Sequence, residues 1–190
     1  MIHLAETPVI TTSRLTLRAP IQSDWPHWSA FAQSDRAAYI GGPHSEKSAW
    51  RAFGHFVGHW VLRGYGSFVF TLRGDDTPIG SAGPWDPQGW PEKEIGWMVW
   101  SPTIEGKGLA YEAALATRDY AYTTLGWTTA VSYIEQQNTR SIALAERLGA
   151  TLDTTADAPG VDDPTRSVLV YRHPTPNAAD DSDGGIEAYA

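Results

Sequence analysis

The residues with the clearest chemical potential form a short glycine-containing turn at 105–113, which reads Glu-Gly-Lys-Gly-Leu-Ala-Tyr-Glu-Ala. Glycines allow successive main-chain N–H groups to point at one anion, and the amino end of a following helix adds a partial positive charge. This geometry suits a pyrophosphate, although an ordinary strand-to-helix turn has the same composition. The turn is not a P-loop, because Lys107 is not followed by Ser or Thr, and it is not GxGxxG, because Tyr111 stands at the third glycine position.

Two other groups of residues have the types that bind ligands. His55 and His59 are four residues apart on a predicted helix, a spacing that can hold a metal ion. No Glu follows His55 and no third ligand is evident, so we expect a solvent-facing pair and no metal site. Tryptophans at 85, 90, 97 and 100 surround the region of the turn, where they can stack on a ligand or simply cover the sheet as core.

Alternation and turn residues predict the elements that position these groups. Strands are predicted at 13–18, 67–72, 78–82, 94–100, 128–134, 151–155 and 167–172, and a loop at 83–91. Apolar stripes predict four helices: 24–34, from an N-cap at Ser45 to Arg63, from the 104–109 turn through Leu125, and from Asn138 through Leu148. This order predicts an α/β (α+β) domain with a mixed, mostly antiparallel central sheet of about six to seven strands, flanked by about four helices, with a parallel unit around the third helix.

Composition restricts the class of protein. The chain has 190 residues, 42% of them hydrophobic, which suits one globular domain at 1–173, followed by an acidic tail at 174–190 that we expect to be disordered. The absence of cysteine excludes a disulfide framework, a thiolate metal site and a cysteine nucleophile. The formal net charge of −8 argues against nucleic acid as the main partner. No signal peptide or membrane span is evident, so no membrane partner is expected and a cytoplasmic protein is the default.

In their order and spacing, these segments resemble the GNAT superfamily of N-acetyltransferases, in particular the branch that includes the ribosomal-protein N-terminal acetyltransferases. The matching features are, along the chain, the 13–18 strand Ser-Arg-Leu-Thr-Leu-Arg, the strand Glu94-Ile95-Gly96-Trp97, the loop 106–110, the helix start Glu112-Ala113, Asn138, Ser141 and the helix end Leu148-Gly149. The resemblance covers roughly residues 10–173. It implies a GNAT-like fold and an acetyltransferase that moves an acetyl group from acetyl-CoA to an amine.

The resemblance also implies a role for each matching position. Main-chain groups of Met98, Val99 and Trp100 would pair with the pantetheine amides of acetyl-CoA as an added strand would. Five amides would hold the pyrophosphate, those of Gly106, Lys107, Gly108, Leu109 and Ala110. Asn138 would hydrogen-bond the pantetheine or the acetyl end, and Ser141 would lie near the sulfur. No metal is implied.

The catalytic residues implied by the resemblance are Glu94 and Ser141. Because an amine with a pKa of about 10 is mostly protonated at neutral pH, a carboxylate acting through water must take its proton. Glu94 is the candidate, although a glutamate at a strand start can also face solvent or cap a neighbour. The family often has a tyrosine as general acid at the position of Ala145, so protonation of the leaving thiolate must come from Ser141, from water or from no group.

A second departure from the family pattern is Glu105, where Gln or Arg is usual, because its carboxylate lies close to the expected anion site. Because of this departure, a second hypothesis for the function is a non-catalytic CoA-binding or sensor module on the same fold. An unrelated α+β domain that binds another phosphorylated ligand is a third alternative. The acceptor is left open between a small-molecule amine and a protein N-terminus, and a homodimer is neither indicated nor excluded.

Overall fold

One mixed sheet organises the protein, whose computed structural model describes residues 6–160 and 167–175. Its strands are β1 (Ile10–Thr11), β2 (Leu15–Arg18), β3 (Phe68–Leu72), β4 (Pro78–Trp85), β5 (Glu94–Val99), β6 (Val131–Glu135), β7 (Thr151–Leu152) and β8 (Val168–Arg172). Its helices are α1 (Trp25–Ala32), α2 (Glu46–Arg63), α3 (Leu109–Thr123) and α4 (Thr139–Arg147), with short 3-10 segments at Gln22–Asp24, Asp35–Ile40 and Pro102–Ile104. The predicted tail at 174–190 lies almost entirely outside the described residues.

The strands are ordered β1-β2-β3-β4-β5-β6-β8-β7. Each neighbouring pair is antiparallel except β5 and β6, which are parallel and are connected through α3. The prediction of a mostly antiparallel sheet with one parallel unit around the third helix is therefore confirmed, with eight strands rather than six or seven. The additional strand, β1, has two residues and is too short to show an alternating pattern.

The predicted loop at 83–91 is wrong over its first three residues, because β4 continues to Trp85. Gly83 has a φ of 142°, which a glycine adopts without strain and which keeps this part of the chain in the sheet. It pairs with Gly96 of β5, and Trp85 pairs with Glu94. All but the last residue of β4 are buried, so the strand has no polar alternation to reveal its length.

Capping residues fix the two helix starts that the sequence located best. The Ser45 side chain accepts the N–H of Ser48 at the start of α2, and Gly64 ends that helix with a φ of 76°. The Asn138 side chain accepts the N–H of Ser141 at the start of α4. Within the described ranges, no helix is long and apolar enough to cross a membrane.

The core lies on both faces of the sheet. Helices α1 and α2 cover one face, where Trp28, Phe53, Phe56, Val69 and Trp100 pack together. Helix α3 covers the opposite face, where Leu17, Phe70, Leu109 and Ala113 pack together. Met98 and Trp100 belong to the α1/α2 face, whereas Ile95, Trp97 and Val99 pack on the other, which confirms the predicted alternation along β5.

The prediction for the histidine pair is half wrong. His55 is exposed, but His59 is buried, with its ring stacked on Trp85 at 4.5 Å between centroids. Its Nδ1 lies 2.8 Å from the Tyr65 carbonyl oxygen, and its Nε2 accepts the N–H of Asp86 at 3.0 Å. Burial lowers the pKa of His59 and keeps the ring neutral, so this histidine is a structural hydrogen-bonding group. Among the described residues no group of three or more His, Cys, Asp or Glu could hold a metal ion.

Candidate active site

The two parallel strands at the centre of the sheet meet at only one point. Glu94 pairs with Val131, and this is the single register pair between β5 and β6. Just beyond it, the Ser132 hydroxyl donates to the Ile95 carbonyl oxygen at 2.6 Å and accepts the Nε2–H of buried His173 at 2.9 Å. From there towards their carboxyl ends the strands diverge and leave a gap in the sheet.

Main-chain groups of β5 face this gap. Pro84 has no N–H, so its position opposite Ile95 is a non-hydrogen-bonded pair of the β4–β5 ladder. Because such pairs alternate with hydrogen-bonded ones, Trp97 and Val99 also direct their N–H and C=O groups away from β4. An extended ligand in the gap would therefore meet the main chain of Trp97 and Val99.

The same alternation separates the three residues that were expected to pair with pantetheine. The main-chain groups of Val99 face the gap, as the pairing with pantetheine requires. Those of Met98, opposite Ser81, point towards β4, and the N–H of Trp100 donates to the Ile79 carbonyl oxygen at 2.9 Å. The side chain of Trp100 is buried in the core. Sequence reasoning missed Trp97, which has the same main-chain orientation as Ile95, the residue opposite Pro84 in the ladder.

The amino end of α3 faces the same gap. Gly108 is the N-cap residue, with a φ of 71°, and makes no side-chain cap. Since the first helical hydrogen bond runs from the Glu112 N–H to the Gly108 carbonyl oxygen, the N–H groups of Leu109, Ala110 and Tyr111 have no intrahelical acceptor. They are donors available to an anion.

The glycine turn is held from the start of β2. Glu112, in the first turn of α3, accepts hydrogen bonds from the Thr12 hydroxyl at 2.6 Å, the Ser13 hydroxyl at 3.0 Å and the Arg14 N–H at 2.9 Å. The Arg14 guanidinium also binds Glu112 and donates to the Lys107 carbonyl oxygen at 2.9 Å. Burial opposes ionisation of Glu112, but these hydrogen bonds outweigh it and lower its pKa to about 2. Glu112 is thus an anchor for the turn.

A cavity of about 900 Å³ joins these features. Eight of the residues predicted to bind the cofactor line it, namely Met98, Val99, Gly106, Gly108, Leu109, Ala110, Asn138 and Ser141. Trp100, Lys107 and Glu94 do not line it. Lys107 is exposed, and its N–H is directed at the Ile104 carbonyl oxygen at 3.4 Å, so the pyrophosphate role predicted for its amide would require the turn to open. The volume is typical of a ligand site.

Ser141 is oriented by a tryptophan from the facing strand. Trp97 Nε1 donates to the Ser141 hydroxyl oxygen at 3.2 Å, which leaves the hydroxyl hydrogen free to point elsewhere. Asn138 accepts the Ser141 N–H at 3.3 Å, so its capping role is present in the structure alongside its place in the cavity lining. Ala145, where the family often has a tyrosine, is fully buried against Ile134 and Tyr171.

Two arginines neutralise Glu105. Its two carboxylate oxygens bind Arg36 at 2.6 Å and Arg140 at 2.8 Å, and these hydrogen bonds lower its pKa. Arg36 also donates to the Val99 carbonyl oxygen at 3.0 Å. Glu105 therefore links the Asp35–Ile40 segment to α4, and the expected repulsion of a bound pyrophosphate is offset by two positive charges.

Glu94 lies on the α1/α2 face of β5, four residues along the strand from Met98. Its carboxylate accepts the Trp90 indole N–H at 2.8 Å and a main-chain N–H from Tyr133. Although the side chain is only partly buried, its surroundings desolvate the carboxylate and raise its pKa to about 7, against the two hydrogen bonds that lower it. A carboxyl group with this pKa can accept a proton and release it again near neutrality.

Two of the four tryptophans belong to the core, and the other two hydrogen-bond side chains of the candidate site. Trp100 is core, and Trp85 packs against the same cluster. Trp97 orients Ser141, and Trp90, which is 36% exposed, covers Glu94.

Comparison with known proteins identifies similar folds. A family model described as an acetyltransferase (GNAT) domain matches residues 14–151. An acetyltransferase from Agrobacterium tumefaciens is 38% identical, with a TM-score of 0.81 over 92% of this chain and 99% of that one. A GNAT-family acetyltransferase from Bordetella pertussis is 25% identical, with a TM-score of 0.71 over 88% of this chain and 99% of that one. A RimL ribosomal L7/L12 α-N-protein acetyltransferase shares the fold at 18% identity and a TM-score of 0.68, over 88% of this chain and 94% of that one.

Proposed function

Because this chain belongs to the GNAT family of acetyltransferases, we propose that it transfers the acetyl group of acetyl-CoA to a primary amine by direct attack in a ternary complex. The gap between β5 and β6 carries this proposal, since it opens into the same cavity as the uncapped amino end of α3. An extended amide chain and an anion are thereby accommodated in one connected site. Membership of the family makes the chain an acyltransferase and rules out the unrelated α+β domain.

The described residues fit acetyl-CoA in two places. The main-chain groups of Trp97 and Val99 suit the pantetheine amides, which would complete the sheet between β5 and β6 as an added strand does. Gly106, Gly108 and the first-turn amides through Ala110 suit the pyrophosphate. The Val99 carbonyl oxygen also accepts a hydrogen bond from Arg36, and its second lone pair is available to pantetheine.

Proton removal is assigned to Glu94. The thioester supplies the acetyl group, and the protein must supply a neutral amine. Glu94 lies on the α1/α2 face of β5 and has a pKa of about 7, so it could accept the amine proton directly or through one water if the acceptor binds on that face.

Proton delivery to the leaving thiolate is assigned to Ser141. Its hydroxyl oxygen is fixed by Trp97, and its hydrogen is free to point into the cavity. Asn138 holds the start of α4, and with it Ser141, at the cavity wall.

The non-catalytic alternative rested on Glu105 and on the missing tyrosine. Both arguments weaken, because Glu105 is neutralised by two arginines and Ser141 has the geometry of a proton donor. A catalytic acetyltransferase is therefore the better supported function.

A paired substitution tests cofactor binding at the turn. Gly108→Asp places a carboxylate among the α3 amides at a positive φ that Asp tolerates, and we expect it to abolish the rise in melting temperature caused by millimolar acetyl-CoA. Gly74→Asp, at a φ of 81° in the β3–β4 turn, is the matched control and should keep the full rise. The absence of a rise in the wild type, or an equal rise in both variants, would refute binding at this turn. Amine-dependent release of free thiol then tests catalysis.

A further inference from the structure

A strip without side chains leads from Glu94 to the cavity. Gly96 lies between Glu94 and Met98 on the α1/α2 face of β5, and its partner across β4 is Gly83. A Cβ added at Gly96 would meet only the Glu94 carboxylate, with 3.4 Å to its Oε1. Met98 lines the cavity, whereas Gly96 and Glu94 do not. The strip therefore reaches the edge of the cavity at Met98 and would serve as a floor between the proposed base and the proposed acetyl site.

Apolar side chains form part of the walls around this floor. On the cavity side these are Phe31, Tyr39, Ile40 and Met98. The same cavity also has charged lining residues, namely Asp35, Arg36, Glu105, Arg140 and Arg147. On the Glu94 side, the Trp90 and Tyr133 rings meet edge to face, with 6.4 Å between centroids. Tyr133 shares the face of Glu94 because Val131, two residues earlier, pairs with Glu94. An apolar body attached to the reacting amine would be desolvated on both sides.

The arginines that flank the strip are already paired with carboxylates. Arg36, at the cavity end, binds Glu105, which Arg140 also binds. Arg172, at the Glu94 end, binds Glu92 and Asp153 at 2.8 Å each. A carboxylate or phosphate on the acceptor would lie near Glu94 without either arginine free to pair with it, and a buried unpaired charge is costly.

Contacts across the cavity limit the size of the acceptor. The Tyr39 hydroxyl donates to the Gln137 carbonyl oxygen at 3.2 Å, and both residues line the cavity. Arg36, Glu105 and Arg140 form a second bridge between the same two walls. An extended polypeptide would have to break these bridges, whereas a small molecule would not.

We infer that the acceptor is a small primary amine on an apolar or aromatic body that carries no anionic group, and that it approaches the acetyl group over Gly96. This inference rests on the proposed function and identifies the substrate class of the same site.

Four matched amines test the inference through kcat/KM for thiol release. Phenethylamine should be at least tenfold better than phenylalanine, which adds only a carboxylate. Phenylalaninamide, in which that charge is removed, should recover most of the difference. A neutral tripeptide amide that begins with phenylalanine should be poorer than phenethylamine.

Gly96→Ala provides the structural test. The added methyl group stands on the floor beside Glu94, so kcat/KM for phenethylamine should fall at least tenfold while the thermal shift with acetyl-CoA is unchanged. Gly54→Ala, on α2 with nothing within 4 Å of the added Cβ, is the matched control and should keep the wild-type value.

The outcomes separate this inference from the proposed function. Failure of acetyl-CoA to raise the melting temperature would contradict the proposed function itself. A thermal shift combined with equal or better use of phenylalanine or of the tripeptide amide would overturn only the acceptor class. So would a thermal shift with no turnover of phenethylamine, or a Gly96→Ala variant with wild-type kinetics.

Discussion

Replacing Glu94 with glutamine removes the proposed base with little change in size. Burial raises the pKa of Glu94 to about 7, so about one tenth of the carboxyl groups are ionised at pH 6, half at pH 7 and nine tenths at pH 8. The reactive combination is ionised Glu94 with a protonated amine. We therefore expect kcat/KM of the wild type to rise about tenfold per pH unit up to pH 7 and then to level off until the amine titrates near pH 10.

The glutamine variant depends on amine that is already neutral. About one molecule in 10³ of an amine with a pKa of about 10 is neutral at pH 7, and loss of a general base costs about 10²–10⁴-fold in rate. Its kcat/KM should be lower by that factor at pH 7 and should rise tenfold per pH unit without a break near pH 7. The difference from the wild type should therefore become smaller between pH 7 and pH 9.

The pKa of Glu94 also has a consequence for stability. An acid whose pKa is raised on folding makes the protein less stable as pH rises from about 4.5 to about 7, after which the loss is constant. The pKa shift sets an upper limit of about 3 kcal/mol on this loss of stability. The actual loss is smaller than this limit, because part of the side chain contacts water. At pH 8, Glu94→Gln should therefore unfold at a higher urea concentration than the wild type.

The assay is initial-rate thiol release between pH 6 and pH 9, with two comparison variants. Trp90→Phe removes an N–H that lowers the pKa of Glu94, so the inflection should move above pH 7. Glu92→Gln changes a carboxylate whose pKa is held below its ordinary value, mainly by Arg172, so the inflection should stay near pH 7. The assignment of Glu94 as base would be refuted if the Glu94→Gln variant had the wild-type pH dependence of kcat/KM. It would also be refuted if Trp90→Phe left the inflection at the same pH.

Three further substitutions test the residues around the cavity. Glu105→Gln removes one negative charge from between two arginines, so titration calorimetry should show acetyl-CoA binding several-fold tighter at low salt, with the gain lost at high salt; equal affinities would contradict this. Glu112→Gln should lower the urea-unfolding free energy by about 2–3 kcal/mol at pH 7, and the difference should disappear as pH falls from 4.5 towards 2, because the wild type then loses the stability that its depressed pKa supplies. Asn138→Asp should keep the helix cap, with a stability change within about 1 kcal/mol, but should weaken acetyl-CoA binding; an unchanged dissociation constant would leave Asn138 as a cap alone.

Much of the fold could be predicted because local chemistry determines it. Ser45 and Gly64 delimit α2, and Asn138 and Gly149 bracket α4, since caps are read from one or two residues. The end of β4 was not predictable, because a strand buried on both faces has no alternation. The burial of His59 was missed for a related reason: its partners, the Tyr65 carbonyl and the Asp86 N–H, are main-chain groups without a sequence signal.

Most residues that line the cavity were named from the sequence, whereas the charge pairing around the cavity was not predicted. The glycine turn and Ser141 are brought to one cavity, as the family resemblance implied. The neutralisation of Glu105 depends on Arg36, which lies 69 residues away, and the phase of the main chain at Val99 depends on a proline in the neighbouring strand. Such contacts arise from tertiary packing, which the pattern of residues along the sequence does not predict.

The single pairing between Glu94 and Val131 divides the sheet into two mechanical parts. One part holds β1 to β5, the other holds β6, β8 and β7, and α3 is the covalent link between them. Without a ligand, we expect the smaller part to open and close as a cooperative unit of its own. A molecule hydrogen-bonded along the gap joins the two parts into one continuous ladder. Slowed hydrogen exchange should then extend to β8, which no bound molecule touches, and the number of cooperative units would fall from two to one as the ligand concentration rises.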